Sequence, residues 1–167
     1  MKIFLIGPMG SGKSKIGRIL SEKLSISLFD IDKEIEKDLN MSITEIFAST
    51  GEIFFRNTET DYLIKTKGLR DCIVSTGGGV IEEIKNLEFL KKEANVVFLN
   101  CSVESQYENT KNSAKRPLLL TNDPKLTLQT LYEKRFDSYK KVSKLELLSD
   151  SMSNDEIANK IINHFNV

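Results

Sequence analysis

A chain of 167 residues with 40% hydrophobic and 29% charged side chains has the make-up of an ordinary globular protein. It can bury roughly 70% of its unfolded surface, and its composition excludes fibrous, disordered and membrane-embedded classes. Lysine plus arginine and aspartate plus glutamate both number 24, so the formal net charge is zero and no basic excess points to nucleic acid.

The chain opens on a short apolar run, residues 2–6, that reads as a buried strand and reaches Gly7 at once. The run is too short for a signal peptide or a membrane span, so a cytoplasmic protein is expected. Helical periodicity follows over 13–24, then a strand at 27–29 and helices over 32–39 and 52–67. A strand at 71–75, a helix over 86–93, a strand at 95–100, helices over 103–111 and 126–141 and a strand at 144–148 complete the alternation. The last helix starts at Ser153-Asn154-Asp155-Glu156, which has capping-box spacing, and turns Ile157, Ile161, Ile162 and Phe165 toward the core. Five short strands separated by amphipathic helices call for an α/β protein whose parallel sheet is covered on both faces. With no long linker or repeat, one domain over 1–167 is expected. Residues 112–125 have weak periodicity, two of the three prolines and several basic side chains, which suits a mobile lid. Cys72 and Cys101 sit in or beside apolar runs with no metal-binding spacing and read as reduced thiols, while His164, the single histidine, reads as a surface residue.

Gly7-Pro8-Met9-Gly10-Ser11-Gly12-Lys13-Ser14 matches the pattern G-x-x-x-x-G-K-[ST], and it lies between a strand and a helix as a phosphate-binding P-loop requires. The architecture expected is therefore the three-layer P-loop NTPase fold. Backbone N–H groups from Gly10, Ser11 and Gly12 would turn toward phosphate oxygens, and the following helix N-terminus adds partial positive charge. Lys13 would reach the β- and γ-phosphates of ATP, and Ser14 would offer its hydroxyl to Mg²⁺. The chain carries no guanine-reading N-K-x-D element and no apolar run ending in a Walker B acid, which disfavours a switch GTPase.

Beyond the P-loop come Asp30-Ile31-Asp32, then Ile43 to Phe47, then Gly51-Glu52-Ile53-Phe54-Phe55-Arg56-Asn57-Thr58-Glu59, then Thr76-Gly77-Gly78-Gly79. Arg116-Pro117-Leu118-Leu119 and Arg135-Phe136-Asp137-Ser138-Tyr139 follow. In order and spacing this series resembles the shikimate kinases over essentially the whole chain. The resemblance implies a nucleoside-monophosphate-kinase-like fold with lid and substrate-binding segments. It implies transfer of the γ-phosphate of ATP to the 3-hydroxyl of shikimate, a step of aromatic amino-acid biosynthesis. It also implies a monomer whose partners are ATP and shikimate, with no nucleic acid and no membrane.

The chemistry of the matched residues fits that reading. Shikimate carries a carboxylate and three hydroxyls, and the planar guanidiniums of Arg56 and Arg135 suit a bidentate clamp on the carboxylate. Glu59, three residues after Arg56, would hold it in place. Asp32 would accept from ring hydroxyls and take the proton of the attacking one. Gly77, Gly78 and Gly79 would let backbone approach the ring, and Phe47 and Phe55 would wall its apolar face. By resemblance, Asp30 acts on Mg²⁺ through water and Arg116 closes over the phosphates, making Lys13, Asp32 and Arg116 the catalytic set. Two positions depart from the family. Lys15, counted here with the nucleotide contacts, stands where a small hydroxyl residue is usual. Asn109 stands where an arginine usually stacks on adenine, a contact for which Lys111, two residues on, could compensate only in part. The rival readings are another small-molecule kinase such as a gluconate kinase, a nucleoside-monophosphate kinase, and a non-catalytic ATP-binding module.

Overall fold

The computed structural model describes residues 1–113 and 116–167. Its centre is a five-stranded parallel sheet of β1 (Lys2–Ile6), β2 (Ser27–Asp30), β3 (Cys72–Ser75), β4 (Val96–Asn100) and β5 (Leu145–Leu148), ordered β2-β3-β1-β4-β5. β1 lies in the middle, and its alternating side chains face two cores. Phe4 and Ile6 pack with Ile35, Ile46, Leu63, Phe98 and Tyr139 on one face. Ile3 and Leu5 pack with Ile16, Leu20, Ile157 and Ile161 on the other. The first layer is built from α2 (Ile31–Leu39), α3 (Ile43–Lys65), α4 (Ile84–Lys92) and α6 (Pro124–Val142). The second is built from α1 (Lys13–Leu24) and α7 (Asn154–Phe165), and α5 (Val103–Thr110) follows β4.

Most elements lie within two residues of the spans expected from periodicity. The capping box at Ser153 and Glu156 forms, Ile157 and Ile161 are fully buried, and Ile162 and Phe165 are partly so. Cys72 and Cys101 are free and buried, and His164 is exposed in the last turn of α7. Among the described residues, no helix is long and apolar enough to cross a membrane.

Two elements differ from expectation. The helical segment expected from Glu52 does start there, directly after Gly51, but a further segment from Ile43 precedes it, capped by Ser42 with Glu45 reaching back to the Ser42 N–H at 2.7 Å. Gly51 hid this turn from the pattern: its backbone leaves the helical region there (φ 82°, ψ 169°) and rotates the second half of α3 relative to the first. The helix expected over 126–141 also starts earlier, inside the segment read as a lid over 112–125. Asp123 accepts from the Leu126 N–H, Pro124 occupies the first helical position, and α6 starts there. Residues 117–119 form one 3-10 turn, and residues 114 and 115 of the expected lid lie outside the described residues.

At strand termini this topology gathers the loops that carry function. β1 stops at Ile6, β2 at Asp30, β3 at Ser75 and β4 at Asn100, all at the carboxyl edge, where the chain turns from one side of β1 to the other. The bend at Gly51 aims the second half of α3 at this edge. Nothing lies within 4 Å of a Cβ added there, so substitution strains only the backbone. We expect Gly51→Ala to destabilise the fold by about 1–3 kcal/mol, read as a lower urea midpoint. An unchanged midpoint would show that the bend tolerates an L-residue.

Candidate active site

Two clefts meet at the carboxyl edge. The larger, about 520 Å³, is lined by Gly10, Ser11, Gly12, Lys13, Ser14 and Lys15 of the P-loop, with Thr76, Asn109, Asp150 and Asn154 around it. The smaller recess is lined by Phe47, Phe55, Arg56, Glu59, Gly77, Gly79 and Arg135, with Pro117 and Leu118 above. Met9, Asp32, Gly78 and Arg116 line both and form the border. All the site residues named from sequence therefore stand around these two spaces except Asp30. That side chain is 7% exposed and caps α2, and its Oδ2 accepts from the Ser14 hydroxyl at 2.7 Å. The helix-capping role and the link to the P-loop serine coexist in one carboxylate.

Lys13 is buried, and its ammonium donates to the carbonyls of Gly7 and Pro8 at 2.8 Å each. Burial, reinforced by the charge of Arg116, lowers its pKa to about 8, which leaves it mostly protonated at neutral pH. Across the border Asp32 has an Oδ1 that is buried and accepts no hydrogen bond, and burial followed by the neighbouring Asp30 raises its pKa. The Nε of Arg116 is likewise buried without a partner. A carboxylate oxygen and a guanidinium N–H, both unsatisfied and lining the same border, are strained in isolation and ready for a polar ligand.

In the smaller recess, burial is nearly complete. Arg56 is 7% exposed, Arg135 2% and Glu59 0%. Glu59 accepts from Arg56 Nη1 at 2.8 Å, and Glu52 takes Nε and Nη2 at 3.2 and 3.0 Å. Burial pushes the Glu59 carboxyl up to about 7, with Arg56 pulling the other way. Its second oxygen, Oε1, accepts nothing. A side chain at Gly77 would collide with that oxygen, and one at Gly79 would collide with the Arg56 guanidinium, so the glycines permit this packing. Phe47 and Phe55 pack ring against ring at 4.9 Å, and Phe55, only 4% exposed, serves core and recess alike.

Three long-range contacts escape motif reading, although Tyr139 and Asn109 are themselves named from the sequence. Tyr139, a core side chain, donates its hydroxyl to the Gly78 carbonyl and holds the glycine loop from beneath. Glu82 pairs with Arg135. Asn109 donates its amide to the Gly10 carbonyl at 2.9 Å, which ties α5 to the P-loop. Lys111 pairs with Glu108 and lines a separate cleft beside Tyr107, not the P-loop cleft. Lys15 is exposed at the P-loop cleft.

Fold and site together define a P-loop small-molecule kinase. A family model described as shikimate kinase matches residues 9–166. A relative named shikimate kinase from Marinomonas sp. (strain MWYL1) is 40% identical over 162 residues, covering 96% of this chain and 89% of that one. One from Psychromonas ingrahamii is 39% identical over 160 residues, covering 96% and 94%. The solved structure of a shikimate kinase from Acinetobacter baumannii in complex with shikimate matches with a TM-score of 0.95 at 35% identity, covering 98% of this chain and 92% of that chain. A deoxyadenosine kinase from M. mycoides with bound dATP, at 17% identity, full coverage of both chains and a TM-score of 0.65, shares the fold alone. The chain belongs to the shikimate kinase family.

Glu59 gives a titration with a defined sign. Its value of about 7 in the folded chain exceeds the ordinary 4.5, so between those limits the folded chain holds a proton that the unfolded chain has released. Its contribution to stability is full below the lower limit, declines as pH rises and is lost above the upper. Glu59→Gln does not titrate, so its urea-unfolding free energy should fall less than wild type's between about pH 5 and about pH 7.5. Parallel pH profiles would contradict the assignment.

Proposed function

We propose that the chain transfers the γ-phosphate of ATP to the 3-hydroxyl of shikimate, giving shikimate 3-phosphate and ADP. The observation that carries this reading is the juxtaposition of two buried arginines with an unsatisfied Asp32 oxygen, on the border of a P-loop cleft. An acceptor with a carboxylate at one end and hydroxyls at the other satisfies both at once. The carboxylate goes to the arginines, and a hydroxyl donates to Asp32 Oδ1. That hydroxyl is then oriented toward the P-loop cleft, and Asp32 receives its proton as the bond to phosphorus forms.

The remaining residues act on charge. Lys13 sits within the P-loop and neutralises phosphate oxygens, and Arg116 places a second cation at the border where the transferring group passes. Pro117 and Leu118 close over the recess beside Arg116 and help exclude water, which favours transfer to the acceptor over hydrolysis of ATP. For Mg²⁺ the donor set fits. Ser14 and Asp30 are hard oxygen donors already joined by a hydrogen bond. Among the described residues no group of three or more His, Cys, Asp or Glu side chains could hold a metal by itself, so phosphate oxygens would complete the shell. Held by Ser14 and Asp30, such an ion would supply positive charge that offsets the charge developing on the transferring phosphate.

ADP release measured in parallel with shikimate, gluconate, AMP and CMP tests the reading. Stimulation is expected with shikimate alone, and Asp32→Asn should lower that turnover by about 10²- to 10⁴-fold. Stimulation by gluconate or AMP in place of shikimate would overturn the substrate, and stimulation by none would leave a nucleotide-binding module. Turnover of Asp32→Asn within about threefold of wild type, a small step on the activation scale, would remove Asp32 from the chemistry.

A further inference from the structure

No motif singles out Glu82, yet it holds the better buried of the two arginines. It ends the short turn Val80–Glu82 that follows the glycine loop, and its N–H donates to the Gly79 carbonyl at 2.9 Å. Its Oε1 accepts from Arg135 Nε at 2.7 Å and also from Nη2, while Oε2 accepts from Lys134 Nζ at 2.5 Å. Burial opposes ionisation of Glu82, but the bonds from Lys134 and Arg135 outweigh it and hold its carboxyl below the ordinary value. Lys134 is 62% exposed on its side-chain surface and Arg135 only 3%, so Glu82 meets solvent-side charge with one oxygen and recess-side charge with the other.

The hydrogen-bond pattern separates the two arginines. Arg56 uses all three guanidinium nitrogens on Glu52 and Glu59. Arg135 gives only its Nε–Nη2 edge to Glu82, and Nη1 enters neither bond. A guanidinium fixed along one edge presents its remaining N–H groups in a defined direction, which an unanchored side chain would have to find by losing rotamer freedom. One turn along α6, Tyr139 donates to the Gly78 carbonyl, so the helix and the glycine loop are joined at two points four residues apart.

We infer that Glu82 is a positioning residue for acceptor recognition: by taking the Nε–Nη2 edge of Arg135 it leaves the Nη1 end for the acceptor carboxylate in the recess beside Arg56. This rests on the function proposed above. The opposite role is a Glu82 that competes with the acceptor for the same guanidinium, and it predicts the opposite change in KM.

Steady-state kinetics with shikimate and ATP varied in turn distinguishes them, using Glu82→Ala, Glu82→Gln, Glu82→Asp, Arg135→Lys and the Glu82→Ala/Arg135→Lys double variant. Positioning predicts that Glu82→Ala raises KM for shikimate by about tenfold, the scale of a lost charge-assisted bond, while KM for ATP stays within about twofold and kcat changes far less than KM. Glu82→Asp should recover part of the loss, and in the Arg135→Lys background Glu82→Ala should add less than about twofold, since the two act as a unit. If thermal melting shows Glu82→Ala unfolded, the near-isosteric Glu82→Gln carries the test, with an expected rise in KM of at least about threefold. An unchanged or lowered KM for shikimate, an equal rise in KM for ATP, or independent effects of the two substitutions would overturn the inference. Wild-type protein without shikimate-dependent ADP release would instead overturn the proposed function, so the two failures are distinguishable.

Discussion

Two guanidiniums buried in one small recess must be neutralised without being used up, and much of the carboxyl edge is arranged around that requirement. An unpaired buried cation is costly, and removal of one partner from a buried ion pair typically costs about 3–5 kcal/mol. Arg56 is met by Glu52 and Glu59 from its own helix, at i−4 and i+3, so its neutralisation is local. Arg135 is met by Glu82 from a different segment, so its neutralisation also fixes α6 against the glycine loop. The glycines follow from the same demand: the Arg56 guanidinium and the Glu59 carboxylate occupy the volume that side chains at positions 77 and 79 would need.

The parallel sheet turns this local arrangement into a two-substrate site. Because β1 is central and its neighbours β3 and β4 lead to opposite sides, the P-loop and the glycine loop emerge side by side. Their common border holds the unsatisfied Asp32 oxygen and the unsatisfied Arg116 Nε. Phosphoryl transfer asks for a proton acceptor and a positive charge where donor and acceptor meet, and the proposed function gives those two roles to these groups. Burial makes charge costly at this border, raising the pKa of Asp32 and lowering that of Lys13.

The sequence made legible what local rules govern. Strands of four or five apolar residues, the P-loop between β1 and α1, and the capping box at Ser153 follow from period, glycine placement and short-range hydrogen bonds. The first half of α3 was legible too, since Ser42 and Glu45 have the same capping spacing, but the non-helical Gly51 breaks the periodicity that would reveal it. Arg56, Glu59, Asp32 and residues 77–79 stood out because they fall within dense motifs. Contacts between segments far apart in the chain left no such signal. Glu82 meets Arg135 across 53 positions and Asn109 meets Gly10 across 99, and neither pairing has a spacing rule. Asn109 shows the limit of analogy, since the residue standing at a base-stacking position donates to P-loop backbone.

The central claim is that the paired arginines recognise the acceptor's carboxylate while Asp32 receives its hydroxyl. A crystal structure of the protein with shikimate and ADP bound tests this most directly. The account predicts the carboxylate within about 3 Å of nitrogens of both Arg56 and Arg135, with a ring hydroxyl on Asp32 and Glu82 still paired to Arg135. A carboxylate lying in the P-loop cleft, or touching neither arginine, would contradict it.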